Sequence, residues 1–168
     1  MGVKIGDVEI PGLTALAPLA GVTDRSFRML CREAGASLAV TEMVSADGLV
    51  QGSERSSRYL DFEADEHPIS VQIFGSDPAV MARGAQVVAG RNPDMIDINC
   101  GCPVRKIVNR NSGSALLKDP MKLGKIISAM AVAVDVPVTL KIRSGWDEAV
   151  GAALEHLGLR AARQVHGD

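Results

Sequence analysis

A chain of 168 residues with 46% apolar residues and a formal charge of −2 is long enough for one ordinary domain with a real core, and it carries no global basic excess of the kind that announces a polyanionic partner. No run approaches the ~20 consecutive apolar residues of a membrane-spanning helix, and the opening Met1-Gly2-Val3-Lys4-Ile5-Gly6-Asp7 lacks the apolar centre of a secretory leader. On those two grounds the chain reads as a soluble, cytoplasmic protein, and its three cysteines, which cannot all pair with one another, read as reduced thiols.

Residues 3–12 read as a short hairpin closing the bottom of the fold, because Val8 and Ile10 alternate with Asp7 and Glu9 until Pro11-Gly12 breaks the run. A first core strand over 13–17 leads into a loop over 18–24, whose small Ala20 and Gly21 let a flat ligand approach the backbone. A helix over 25–34 follows, capped by Thr23 or Asp24 and stopped at Gly35. A second strand over 37–45 passes into a helical 45–51. The polar stretch 52–67, with Glu54, Arg55, Arg58, Asp61, Glu63, Asp65 and Glu66, is placed on the surface, and Tyr59 is assigned to covering the core. Pro68 opens a third strand, and Asp77-Pro78 starts its helix with proline at the first helical position. A fourth strand over 95–99 ends in a Cys-Pro corner; 105–114 reads as a loop, 121–134 as a helix opened by Asp119-Pro120, and 138–143 as a fifth strand. Strands alternating with helices at this spacing are the signature of successive βαβ units with a parallel sheet.

Strand parity then sorts the chemistry. In Asp97-Ile98-Asn99-Cys100-Gly101-Cys102-Pro103, alternation sends Ile96, Ile98 and Cys100 to one face and Asp97 and Asn99 to the other. Cys100 follows the apolar side, whereas Cys102, beyond the strand and pinned by Pro103, is the reactive thiol. Val71 and Ile73 alternate with Ser70 and Gln72, and Val138, Leu140 and Ile142 with Thr139, Lys141 and Arg143. Gln72, Asn99, Cys102 and Lys141 are therefore expected at one rim, where parallel sheets hold their ligands. Each also has a plainer reading: Asn99 holding its own loop, Lys141 paired with Asp97, Gln72 satisfying a buried backbone group. A Cys-x-Cys with no second Cys or His pair nearby argues against a metal. Between Pro103 and Lys125, six basic residues (Arg105, Lys106, Arg110, Lys118, Lys122 and Lys125) stand against the single acid Asp119, either a solvated face or a place for a polyanion.

Four ordered motifs carry a resemblance: Ala17-Pro18-Leu19-Ala20-Gly21-Val22-Thr23-Asp24, Val71-Gln72-Ile73-Phe74-Gly75, Asp97-Ile98-Asn99-Cys100-Gly101-Cys102-Pro103 and Leu140-Lys141-Ile142-Arg143-Ser144-Gly145-Trp146. Over roughly the first 148 residues the chain resembles the tRNA-dihydrouridine synthases. That resemblance implies an FMN enzyme on a TIM barrel, reducing uridines of tRNA to dihydrouridine with NADPH as electron donor. It implies flavin contacts at Pro18, Leu19 and Ala20, where methionine is usual at the middle position; Cys102 as general acid; and Asn99 beside the base. A complete (β/α)₈ barrel takes about 250 residues and at least about 200, so the expected fold is α/β, a partial barrel of about the first five βα units. Residues 1–148 form the N-terminal part of an FMN-binding barrel and 149–168 a divergent helical tail, as in a truncated or frame-shifted product with self-associating open edges. Val165-His166-Gly167 matches in letters a motif that carries a family histidine, but no apolar strand precedes it and the role is not transferred.

The expected chemistry follows from those residues. Saturating the uracil 5,6 double bond takes a hydride at one carbon and a proton at the other; a flavin supplies the first and a thiol, protonated at neutral pH, can donate the second. Lys141 is expected to stabilise the anionic reduced flavin, Gln72 to match the donors and acceptors of its edge, and Arg143 to be a secondary candidate for its phosphate. The alternatives are a barrel oxidoreductase of free pyrimidines, resembling dihydroorotate dehydrogenases, and a non-catalytic fragment that binds tRNA through the basic stretch.

Overall fold

The computed structural model describes residues 2–144 and Trp146. The expected tail at 149–168, with His166, lies outside the described residues.

A short antiparallel hairpin, β1 (Val3–Ile5) and β2 (Val8–Ile10), opens the chain. The main sheet then grows in sequence order from β3 (Ala15–Leu16) through β4 (Leu38–Val40), β6 (Ile69–Phe74) and β7 (Met95–Cys100) to β8 (Val138–Ile142), all parallel, with β5 (Val44–Ser45) added to β6. Between the strands run α1 (Arg25–Glu33), α2 (Ala46–Val50), α3 (Glu54–Ser57), α4 (Pro78–Ala89), α5 (Arg105–Val108) and α6 (Pro120–Ala133). A parallel sheet whose successive strands are joined by helices is the half-barrel expected from the sequence pattern.

Local chemistry sets the helix starts. The side chains of Asp24, Asp77 and Asp119 each accept the backbone N–H three residues on, at 2.9, 2.9 and 3.0 Å, so Asp24 rather than Thr23 caps the first helix. Proline follows at the first position of α4 and α6, where its missing N–H costs nothing.

One face of the sheet carries Val71, Ile73, Ile96, Ile98, Cys100 and Leu140, which pack with Met81, Ala85 and Val88 of α4 and Leu123, Ile126 and Met130 of α6. Each such large side chain, fully buried, is worth about 1.5–3 kcal/mol of transfer free energy, and this layer holds the strands in register. At the opposite end from the Cys-Pro corner, Ile10 joins Leu38 and Met95, the first residues of β4 and β7, with Ile5 and Val8 packed alongside. The hairpin thus covers the N-terminal end of the strands.

Three expectations need correction. The second strand is not continuous: Val40 pairs with Ser70 but Val44 with Ile73, so four steps along one strand meet three along the other. The extra residue makes a bulge, where Thr41 donates its N–H to Ser70 O and its hydroxyl oxygen accepts the Gln72 N–H at 3.2 Å. The stretch 105–114 is not all loop, since α5 begins it and a 3₁₀ turn, Gly113–Lys118, follows; Leu116 and Leu117 enter the core and order the segment. Glu66 is not on the surface. It is fully buried, receiving Arg28 Nε at 2.6 Å and Nη2 at 3.1 Å, while the same guanidinium donates to Thr23 O and Asp61 O. That buried pair ties α1 to the polar segment before β6.

Candidate active site

The polar face of the sheet is connected by hydrogen bonds. Register sets Gln72 beside Asp97, Asp97 beside Thr139 and Asn99 beside Lys141. Asp97 Oδ2 accepts from Gln72 Nε2 at 2.6 Å and its Oδ1 from the Thr139 hydroxyl at 2.7 Å. Gln72 Oε1 accepts from Asn99 Nδ2 at 2.7 Å, and the same amide nitrogen lies 3.5 Å from Met43 Sδ. Asp97 thus engages Gln72 through one carboxylate oxygen and Thr139 through the other.

Asn99 also holds the corner. Its Oδ1 accepts the backbone N–H of Gly101 at 3.2 Å and of Cys102 at 3.0 Å. Cys102 O accepts the Ser114 N–H at 3.0 Å, and Arg143 Nε donates to Gly101 O at 2.6 Å. Gly113 closes the back of the corner at φ +61°: a Cβ there would sit 2.6 Å from Cys102 O and 2.8 Å from Ile107 Cγ2. The backbone of Cys102 is thereby fixed on both sides, while its thiol is half-buried at the rim. Cys100 is the opposite case, with no exposed surface; burial first, and the Asp97 carboxylate second, push its thiol pKa well above the ordinary value.

The rim holds one cavity of about 390 Å³, lined by Pro18, Leu19, Ala20, Met43, Gln72, Asn99, Gly101, Cys102, Pro103, Lys141 and Arg143. Every residue assigned to the site from the sequence lies on its wall. The 18–24 loop is tied to Glu42 by the Gly21 N–H on its carboxylate and is braced internally by Thr23, whose hydroxyl bridges the N–H and C=O of Leu19 at 3.1 and 3.2 Å. Met43 is absent from the residues expected at the site, because 37–45 reads as one strand; it reaches the cavity just beyond the bulge at Thr41. Arg143 spends its Nε on the corner. Tyr59 is half-buried against the core and stands on a separate hollow beside α1, with Arg25, Arg58 and Asp61.

The volume falls at the lower end of the roughly 300–1,000 Å³ of small-molecule sites. Its apolar wall from Pro18 to Ala20, the amine of Lys141 and the amides of Gln72 and Asn99 could hold a flat heteroaromatic group. Cys102 adds a thiol at the same wall.

A sequence model of the family described as dihydrouridine synthase (Dus) matches residues 15–162. The chain is 46% identical over 171 aligned positions to the tRNA-dihydrouridine synthase B of Pseudomonas aeruginosa, an alignment covering 98% of this chain and 51% of that protein. It is 43% identical over 170 positions to the protein of the same name from Xanthomonas campestris, covering 98% and 51%. To that from Vibrio parahaemolyticus it is 46% identical over 144 positions, covering 86% and 45%. The chain spans about half the length of the curated relatives it matches.

Proposed function

Because this chain belongs to the dihydrouridine synthase family, we propose that its cavity serves the reduction of uridine to 5,6-dihydrouridine in tRNA, with FMN as cofactor and NADPH as electron donor. The observation that carries the reading is the convergence of Pro18, Leu19, Ala20, Gln72, Asn99, Cys102 and Lys141 on one wall, although they come from four separate parts of the chain. Bound reduced FMN supplies the hydride for one carbon of the uracil double bond. Cys102 supplies the proton for the other, and its fixed backbone limits where that proton can be delivered. Lys141, on the cavity wall, would favour negative charge on the reduced ring. Pro18, Leu19 and Ala20 present apolar surface for the ring to lie on, and Asn99 holds the Cys102 corner beside the base. Arg105, Lys106, Arg110, Lys122 and Lys125 pair with no carboxylate among the described residues, which leaves them for tRNA phosphates. Among the described residues no helix is long and apolar enough to cross a membrane; we place the reaction in the cytoplasm.

The test joins this chain to the C-terminal half of the Pseudomonas aeruginosa relative, loads the hybrid with reduced FMN and follows reoxidation on adding unmodified tRNA or free pyrimidines. Reoxidation by tRNA alone is expected, with Cys102→Ala keeping the flavin and losing about 10²–10⁴-fold in rate, and Cys100→Ala affected far less. Reoxidation by free pyrimidines but not by tRNA would replace this reading with that of a small-molecule oxidoreductase.

A further inference from the structure

The two amides between Asp97 and Cys102 have ends of nearly equal size, so shape alone does not decide which end faces which neighbour. Hydrogen-bond polarity does. The backbone N–H groups of Gly101 and Cys102 can only donate, and they require Asn99 Oδ1. Asn99 Nδ2 must then face Gln72 Oε1, and Gln72 Nε2 must face an acceptor. Asp97 provides that acceptor through Oδ2, and its other oxygen takes the Thr139 hydroxyl. The run therefore has one polarity from Thr139 to Cys102. Reversing either amide would set oxygen against oxygen or N–H against N–H in a site where Gln72 and Asp97 are at most 1% exposed, and such mismatches are costly without water.

We propose that Asp97 is a positioning residue of this site: through Gln72 it fixes the orientation of Asn99 and so keeps an acceptor beneath the backbone N–H of Cys102. This rests on the reading of Cys102 as the proton donor only for its functional meaning, because the relay itself is tested without flavin or tRNA.

The test moves the carboxylate from one end of the run to the other. Asn99→Asp puts an acceptor-only group against Gln72 Oε1; whichever way Gln72 then turns, one of its neighbours is mismatched. Adding Asp97→Asn repairs this. The new amide at position 97 donates to Gln72 Oε1 and still accepts from Thr139. Gln72 Nε2 then donates to the new carboxylate at position 99, which keeps an oxygen for the Cys102 N–H. Hydrogen exchange read by mass spectrometry on peptides covering 99–104, with α4 as the control element, should speed up about tenfold in Asn99→Asp, because repulsion between the new carboxylate and Gln72 Oε1 pulls the position-99 side chain off the corner, the equivalent of losing one hydrogen bond. It should return to within about twofold of the unaltered chain in the double variant. If Asn99→Asp does not fold, recovery of a folded chain by Asp97→Asn is the same rescue. Wild-type exchange in Asn99→Asp, or a double variant no better than that single one, would overturn the proposal. A failed rescue beside a tRNA-dependent hybrid enzyme would sink the relay and leave the proposed reaction standing.

Discussion

Cys100 and Cys102 are separated by one glycine, yet the end of β7 buries the first thiol completely and leaves the second at the rim of the cavity. Because the folded chain holds the Cys100 proton more tightly than the unfolded one, the stability this group contributes is complete below the ordinary thiol pKa, about 8.5. It is lost as pH rises from there toward the raised folded value. Urea midpoints measured from pH 7 to pH 10 should therefore fall more steeply for the unaltered chain than for Cys100→Ala. Parallel slopes would mean that the buried thiol is not linked to folding. Parity of a strand is enough to separate these two cysteines from sequence alone, since it depends only on the alternation of side chains. It does not show that the amide of Gln72 is already engaged at both ends, by Asp97 and Asn99, which makes it a structural link whatever it contacts in the cavity. Nor does it pair Arg28 with Glu66, residues 38 apart in the chain, the second of which reads as surface until the fold removes it from water.

At the scale of elements, the segment from Cys102 through α5 and the 3₁₀ turn acts as a backing plate for the corner. Gly113→Ala would strain a backbone at φ +61° and press a methyl group against Cys102 O and Ile107. The change should cost about 1–3 kcal/mol, lower the melting temperature, and raise the alkylation rate of Cys102 in a Cys31→Ser background as the corner loosens. A loss of stability with unchanged Cys102 reactivity would show that Gly113 serves the core and not the corner. The same segment presents the basic residues. Charge reversal at Lys106 on α5 and Lys122 on α6, assayed in the hybrid enzyme, should weaken tRNA binding and reduce the log–log salt slope by about 0.7–0.9 for each phosphate no longer neutralised, with flavin affinity unchanged. An identical slope would return both lysines to ordinary solvated surface. The helices with Asp-Pro starts are legible in the sequence because a cap is a local event, decided within one turn. The broken second strand and the ordered 105–118 stretch are not, because both are decided by partners distant in sequence: Ser70 and Gln72 for the bulge at Thr41, and the layer between β7 and α6 for Leu116 and Leu117.

At the scale of the whole molecule, the sheet is a half-barrel whose outer strands among the described residues, β3 and β8, each have a neighbour on one side only. Such edges offer unpaired backbone N–H and C=O groups to another chain. Apolar side chains add to this on the β3 side, where Leu13 is 74% exposed just before the strand and Leu30 62% exposed on the following helix. The cavity has walls for a ring system, but in TIM barrels the phosphate of a cofactor is frequently anchored by loops after the seventh and eighth strands, and the described residues carry five sequential strands of that series. On the proposed function, Lys141 and the 18–24 loop would hold a ring without holding its phosphate tail firmly. The 168-residue chain by itself is therefore expected to bind FMN weakly, to self-associate, and to turn over tRNA poorly. Purified chain should show a shallow flavin-fluorescence titration and a light-scattering mass above the 17.7 kDa of one copy. Joining it to the C-terminal half of a relative should correct both properties together, because the same added strands cover the edges and bring the phosphate loops. A yellow monomer that reduces tRNA with NADPH unaided would refute this and show that five strands suffice to hold the cofactor.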